Sequence, residues 1–226
     1  MSESQNFFSG LNQKVTDWYV VNKKKVNLIS ISVVALAGLY LGYRYYWIPS
    51  QEKEAQSYIF KIRSVFFKDS FQTVLKGGKG FPGAPELADD YGATQSGKEA
   101  ALMAGISYRM TGKFDEAIDY LERADFNDNF LGPSAKGALA SCYAEKGDVA
   151  KAAGLYEDAA GMSKNDMTTP GMLKMAAIHY EEAGQDKDAL RCYERIGKEF
   201  RNTVEGNDID KYIYRVKARM GDFNRE

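Results

Sequence analysis

The sequence predicts an all-α protein: one apolar helix long enough to cross a bilayer, followed by a solenoid of repeated helical hairpins. A single spacing recurs three times, as Gly105-x-x-Tyr108 with Ala117-x-x-x-Leu121, Ala140-x-x-Tyr143 with Ala152-x-x-x-Tyr156, and Ala177-x-x-Tyr180 with Ala189-x-x-x-Tyr193. Turn glycines Gly112, Gly147 and Gly184 close the first half of each unit, 35 and 37 positions apart, near the roughly 34-residue period of a two-helix repeat. Residues 26–43 carry no charge. Small residues let paired helices approach while tyrosines fill the space between them. Stacked hairpins of this kind offer a curved surface to other chains rather than a catalytic cleft.

The 226 residues suit a compact domain with an appendage. Lys+Arg 30 against Asp+Glu 31 leaves a net charge of −1, so there is no basic field to attract nucleic acid. The appendage is a segment, 1–25, leading into a transmembrane signal anchor, 26–48. A helix over 26–48 would be roughly 34 Å long at 1.5 Å per residue, enough to span the bilayer with Arg44 snorkelling from its end. Lys23, Lys24 and Lys25 flank one edge and an aromatic belt of Tyr43, Tyr45, Tyr46 and Trp47 the other, which places 1–25 in the cytoplasm. Pro49 is expected to stop the helix. Ala35-Leu36-Ala37 has the form of a signal-peptidase site, but the apolar run continues beyond it, which favours an uncleaved anchor. Gly38-x-x-x-Gly42 puts two small residues where another transmembrane helix could pack closely; glycine is also common in membrane helices without that role.

Segment 49–96 opens with Ala55, Tyr58, Ile59, Ile62, Val65 and Phe66 at helical spacing, an apolar stripe that needs a cover. A short helix from Asp69 to Leu75, ended by Gly77-Gly78, would pair with it as a degenerate leading repeat. A glycine- and proline-rich loop follows over 77–85, then a short helix over 86–91. Ser96-x-x-Glu99 reads as a capping box opening the first repeat helix. Across 97–199 the expected helix pairs are 97–111 with 114–125, 133–146 with 149–161, and 170–183 with 186–199. In the closing segment, 200–226, a helix over 207–220 would use Asp208, Asp210, Lys211, Arg215, Lys217 and Arg219 to give the end of the solenoid a polar face.

Little in the sequence points to catalysis. Residues 92–98 match the glycine and lysine spacing of a phosphate-binding loop, but Glu99 stands where the magnesium-binding hydroxyl belongs and no strand precedes it. His179 is the single histidine and shares its repeat position with Ser107 and Cys142, the mark of packing rather than of a catalytic base. One histidine and two separated cysteines fall short of the four N/S ligands of a structural zinc site. Cys142 and Cys192 are read as buried free thiols, with a disulfide as the alternative. Glu86, Asp89 and Asp90 are read as a solvated acidic helix start. No cofactor, metal or small-molecule substrate is expected.

With these residues in view, 97–199 resembles the tetratricopeptide family, though the family's usual tryptophan is absent. The resemblance implies that the first helix of each hairpin lines a concave groove. Its positions here are Leu102, Ile106, Arg109 and Met110; Ser141, Ala144 and Glu145; and Lys174, Ile178, Glu181 and Glu182. These residues could equally cover neighbouring helices or a carboxy-terminal helix lying in the groove. Members that clamp acidic chaperone tails use Lys and Asn where this chain has Leu102, Ile106, Gly137, Ser141 and Ile178, so the groove should favour apolar or mixed segments.

The order of features along the whole chain is similar to that of the YfgM-like proteins of Gram-negative bacteria. The shared marks are the uncleaved anchor, Phe66-Phe67-Lys68-Asp69-Ser70-Phe71 with Leu75-Lys76-Gly77, Tyr91-Gly92-Ala93-Thr94, and Thr168-Thr169-Pro170. This resemblance implies a single-pass protein of the bacterial inner membrane, an ancillary subunit of the SecYEG translocon. Its repeat domain would lie in the periplasm near emerging chains and beside membrane-anchored chaperones. Two other readings stay open: a scaffold in another envelope assembly or secretion complex, and a self-associating regulator of a stress-response component.

Overall fold

The computed structural model describes the backbone of residues 2–221 and the side chains of residues 16–221. The helices are α1 (Ser2–Gly42), α2 (Ile48–Phe66), α3 (Phe71–Lys76), α4 (Ala84–Asp90), α5 (Gln95–Met110), α6 (Phe114–Arg123), α7 (Leu131–Glu145), α8 (Val149–Met162), α9 (Thr169–Glu182), α10 (Asp186–Glu199), α11 (Val204–Asn207) and α12 (Ile209–Met220). Among the described residues there is no strand, only a single bridge between Gly78 and Phe81. The chain forms two compact units, Met1–Ser50 and Gln51–Glu226.

In the first unit, α1 turns apolar side chains outward on every side, with Leu28, Ile29, Val34, Leu36 and Leu39 all exposed. The stretch is long and apolar enough to cross a membrane, and none of its most apolar window is buried within the chain. A helix apolar all round finds its cover in a core or a bilayer, and its internal hydrogen bonds leave no backbone group wanting in lipid. Pro49 does not end the helix as expected. The turn before it, Tyr43–Trp47, widens to π geometry, with the Ile48 amide donating to Tyr43 O five residues back. Proline cannot donate to the carbonyl four residues upstream and its ring crowds that carbonyl. The wider turn accommodates the defect, and Pro49 falls in the first turn of α2, where a missing N–H costs little.

In the second unit, Ala55, Ile59 and Ile62 of α2 are buried in one cluster with Val74 of α3, Leu87 of α4 and the alanines of α5. Polar ties fix the same packing. Glu52 accepts from the Ser96 amide at 3.0 Å and the Ser96 hydroxyl at 2.6 Å. Arg63 makes a bidentate pair with Glu99 at 2.8 and 2.7 Å. The expected capping box is therefore not formed. Thr94 caps α5 instead, its Oγ1 accepting from the Gly97 amide at 2.9 Å, and the side chains of Ser96 and Glu99 are spent on holding α2.

The three hairpins are α5 with α6, α7 with α8, and α9 with α10, each within a few residues of its expected bounds. The first helix of each ends in a glycine with positive φ, Gly112 at 76°, Gly147 at 83° and Gly184 at 72°. The next residue donates back to the carbonyl of Tyr108, Tyr143 or Tyr180, the C-terminal motif that only glycine adopts without strain. Close approach explains the small residues: a Cβ on Gly105 would stand 2.5 Å from Leu121 Cγ. Tyr156 and Tyr193 are buried between helices. The final helix starts at Ile209 rather than 207, because Thr203 caps a separate short turn, α11, through the Gly206 amide at 3.2 Å. Gly221 repeats the positive φ at 72°, so α12 stands in the place of the first helix of a fourth unit.

Two partly buried carboxylates of this unit, Glu52 and Glu157, are held below their ordinary range. Burial alone would raise Glu52, but the Ser96 hydroxyl and amide outweigh it. Burial likewise opposes the fall of Glu157, which is overcome by Arg191 and by the Tyr180 hydroxyl at 2.8 Å. Their stabilisation is complete above the reference value of 4.5 and is lost as pH falls through the folded-state values. In thermal melts of the detergent-solubilised chain, the Glu52→Gln/Glu157→Gln double variant should lose less melting temperature than wild type between about pH 5.5 and pH 3. Two glycine substitutions should act with opposite sign. On Gly97 a Cβ would lie 1.9 Å from Tyr91 O, whereas on Gly154 it meets nothing within 4 Å. Gly97→Ala should cost about 2 kcal/mol or more, and Gly154→Ala should stabilise by about 0.5–1 kcal/mol in the same melts.

Candidate protein-binding groove

A groove of about 610 Å³ runs across the first helices of the three hairpins. Ile106 and Arg109 from α5, Gly137, Ala138 and Ser141 from α7, and Met172, Lys174, Met175 and Ile178 from α9 line it. Of the groove positions expected from sequence, Ile106, Arg109, Ser141, Lys174 and Ile178 thus come together. Gly137 opens the floor, since a Cβ there would stand 2.9 Å from the Met172 thioether. Ser141 Oγ and Tyr156 OH hydrogen bond at 2.9 Å, and Tyr156 stacks on His179 with centroids 5.5 Å apart. The histidine is a packing residue of the wall, hydrogen bonded to Glu182 at 3.2 Å.

The other expected positions lie elsewhere. Leu102 is only 6% exposed and belongs to the core cluster with Ala55 and Val74, because α3 and α4 lay an extra layer against α5. Met110 and Glu145 end their helices exposed to solvent and are not part of the groove lining. Glu181 is committed: its side chain, 10% exposed, accepts from Arg215 at 2.6 Å, Arg219 at 3.0 Å and the Tyr193 hydroxyl at 2.7 Å. Asp186 also pairs with Arg219. Arg215 and Arg219, expected on the polar side with which α12 caps the last repeat, bind it to the third hairpin through ion pairs. Because α12 packs against α10, it does not fill the groove; only Glu205 of α11 enters, at the α9 end beside Gly171.

Sequence reasoning missed Met172, Met175 and Glu205. Met172, Met175 and Ile178 follow one another at three-residue spacing along one face of the same helix, a signal that was available from spacing. Glu205 comes from a turn whose return to α9 no local pattern encodes. The groove's charge is mixed, with Arg109 and Lys174 against Glu205. Lys174 rests over the Tyr212 ring at 5.2 Å. Arg109 is half-buried, and its Nε has no hydrogen-bond partner.

Chemistry elsewhere is muted. In the stretch resembling a phosphate loop, the Gly97 and Lys98 amides bond Thr94 and the Ser96 amide bonds Glu52, so they do not cradle an anion. Cys142 and Cys192 are free and buried. Burial pushes their thiols up, to about 11 and about 12 respectively, which leaves both protonated and unreactive.

Two models of the tetratricopeptide repeat match the chain, one over residues 102–166 and one over residues 171–203. The chain therefore carries tetratricopeptide repeats, a module through which proteins bind one another. Among solved structures it is similar to that of a Podosopora anserina chain assigned as a kinesin light chain with nearly identical repeats of this type. The identity is 15%, over 75% of this chain and 88% of that chain, with a TM-score of 0.53. A single-substitution variant of the same fungal chain gives 15% identity and a TM-score of 0.52. At this identity the likeness concerns the fold alone. No curated protein sequence matches the chain.

Glu181→Ala should destabilise the repeat unit by about 1–2 kcal/mol, since the half-exposed Arg215 and the buried Tyr193 hydroxyl lose their acceptor and Arg219 is left with Asp186 alone. Hydrogen exchange should show protection falling first in α12. Glu182→Ala, on an exposed side chain, should leave that pattern unchanged.

Proposed function

We propose that this tetratricopeptide-repeat chain is a membrane-anchored, non-enzymatic adaptor, an ancillary subunit of the SecYEG channel that works in the periplasm with membrane-anchored chaperones on emerging chains. The observation that carries the reading is the combination, in one chain, of a helix with apolar side chains exposed all round and an open, largely apolar groove among repeats. Tethering raises the local concentration of the groove toward the millimolar range around its partner, so weak binding suffices. Each apolar side chain an unfolded segment buries there contributes about 1.5–3 kcal/mol before ordering costs.

The orientation rests on Lys23, Lys24 and Lys25 before the span and the aromatic residues after it. Protonated, buried thiols are compatible with an oxidising compartment. Gly38 and Gly42 stand open, with nothing within 4 Å of an added Cβ, so that face of the helix is free to receive another transmembrane helix. The order of anchor, leading segment and repeats is the one seen in YfgM-like proteins, which supports the translocon over other envelope machines.

The test is to tag the carboxy terminus, crosslink native membranes, solubilise gently and identify partners by mass spectrometry. SecYEG subunits should be recovered above a matched single-span control, and Gly38→Leu/Gly42→Leu should lower that recovery about fivefold or more. Reproducible recovery of a different envelope complex without SecYEG would overturn the translocon assignment.

A further inference from the structure

Every other described arginine of the second unit, from Arg63 to Arg219, reaches a carboxylate within ion-pair distance. Arg109 does not, and it is the one that lines the groove. Its Nε is removed from solvent without an acceptor, and the side chains sharing its groove are largely apolar, among them Ile106, Ala138 and Ile178. A guanidinium in such a place keeps a fork of donors ready for a planar anion. Lys174 of α9 adds a second cation to the lining, and Glu205 sets a negative charge at one end.

We infer that the groove takes a polypeptide segment of apolar side chains carrying one internal carboxylate, which docks on the Arg109 guanidinium. The inference rests on reading the groove as the protein-binding surface and adds the chemistry of what it binds. Glu205 disfavours runs of acidic residues, since a second carboxylate at its end would meet like charge. The segment therefore differs from a polyacidic tail: apolar residues fill the space between Ile106 and Ile178, and a single Asp or Glu gives the register.

The test uses the full chain in nanodiscs and fluorescent apolar ten-residue peptides made in pairs, one member with a central Glu and the other with Gln, read by anisotropy. The Glu members should bind about tenfold tighter. Arg109→Gln should erase that preference while leaving the Gln peptides bound as before, which also shows that the variant is folded. Arg109→Lys should keep part of the preference, and Ile178→Asp should weaken both members. Equal binding of the pairs to wild type, a preference that survives Arg109→Gln, or no binding by any pair would overturn the inference. The readout needs no translocon, so failure to recover SecYEG from membranes leaves this result standing; loss of the Glu preference with the peptides still bound overturns this inference alone, whereas no binding by any pair counts against the groove reading as well.

Discussion

The structure depends on how closely its helices approach one another. Ala104, Ala117, Ala140, Ala152, Ala177 and Ala189 are fully buried, and at Gly105 even a methyl group would collide with Leu121. Small side chains at these seams let backbones come near enough for the tyrosines to close the remaining space, and interior packing tolerates little change in volume. With the seams set, the turns follow. Each first helix must reverse within a few residues, and a glycine with positive φ does this while its successor satisfies a carbonyl that the helix would otherwise leave open. The groove is a by-product of the same geometry, since first helices stacked side by side leave their outer faces in a row.

Much of this was legible from residue spacing. The repeat rhythm gave the hairpins and their bounds, and the run without charge gave the long apolar helix. What was hidden has a common cause: polar side chains were read for their local possibilities and then used at a distance. Ser96 and Glu99 fit a capping box, yet Glu52 and Arg63, far off in sequence, claim them. Glu181 fits a groove position, yet α12 brings two arginines to it. Pro49 reads as a helix stop, yet a wider turn before it absorbs the defect. Leu102 shares a helix face with Ile106, yet a layer of short helices with weak sequence signals covers one and leaves the other open. Long-range partners decide such cases, and a single sequence does not display them.

The charges show a related economy. A chain with nearly equal numbers of acids and bases places many of them as bridges between neighbouring helices: Arg123 to Asp89, Arg191 to Glu157 and Arg215 to Glu181. Partly exposed pairs of this kind contribute modestly to stability. Their larger effect is on register, because opposite charges placed one repeat apart favour one stacking of the hairpins over its neighbours. Against that background an unpaired arginine in the groove is a departure from how the rest of the unit is built.

The buried residues fall into two clusters that meet at α7, where Ala135, Leu139 and Cys142 belong to one and Ala140 to the other. Each cluster draws mainly on its own helices, and the two are joined through α7 and through Leu155 of α8, which packs against both. In a linear array, neighbouring blocks support each other only through their shared face. An array of this kind opens from its ends, and the end that holds α12 lies against the third hairpin. That opening would dismantle the α9 wall of the groove and release whatever it held. A segment lying in the groove would then be freed by breathing at one end of the array, without a hinge between rigid parts.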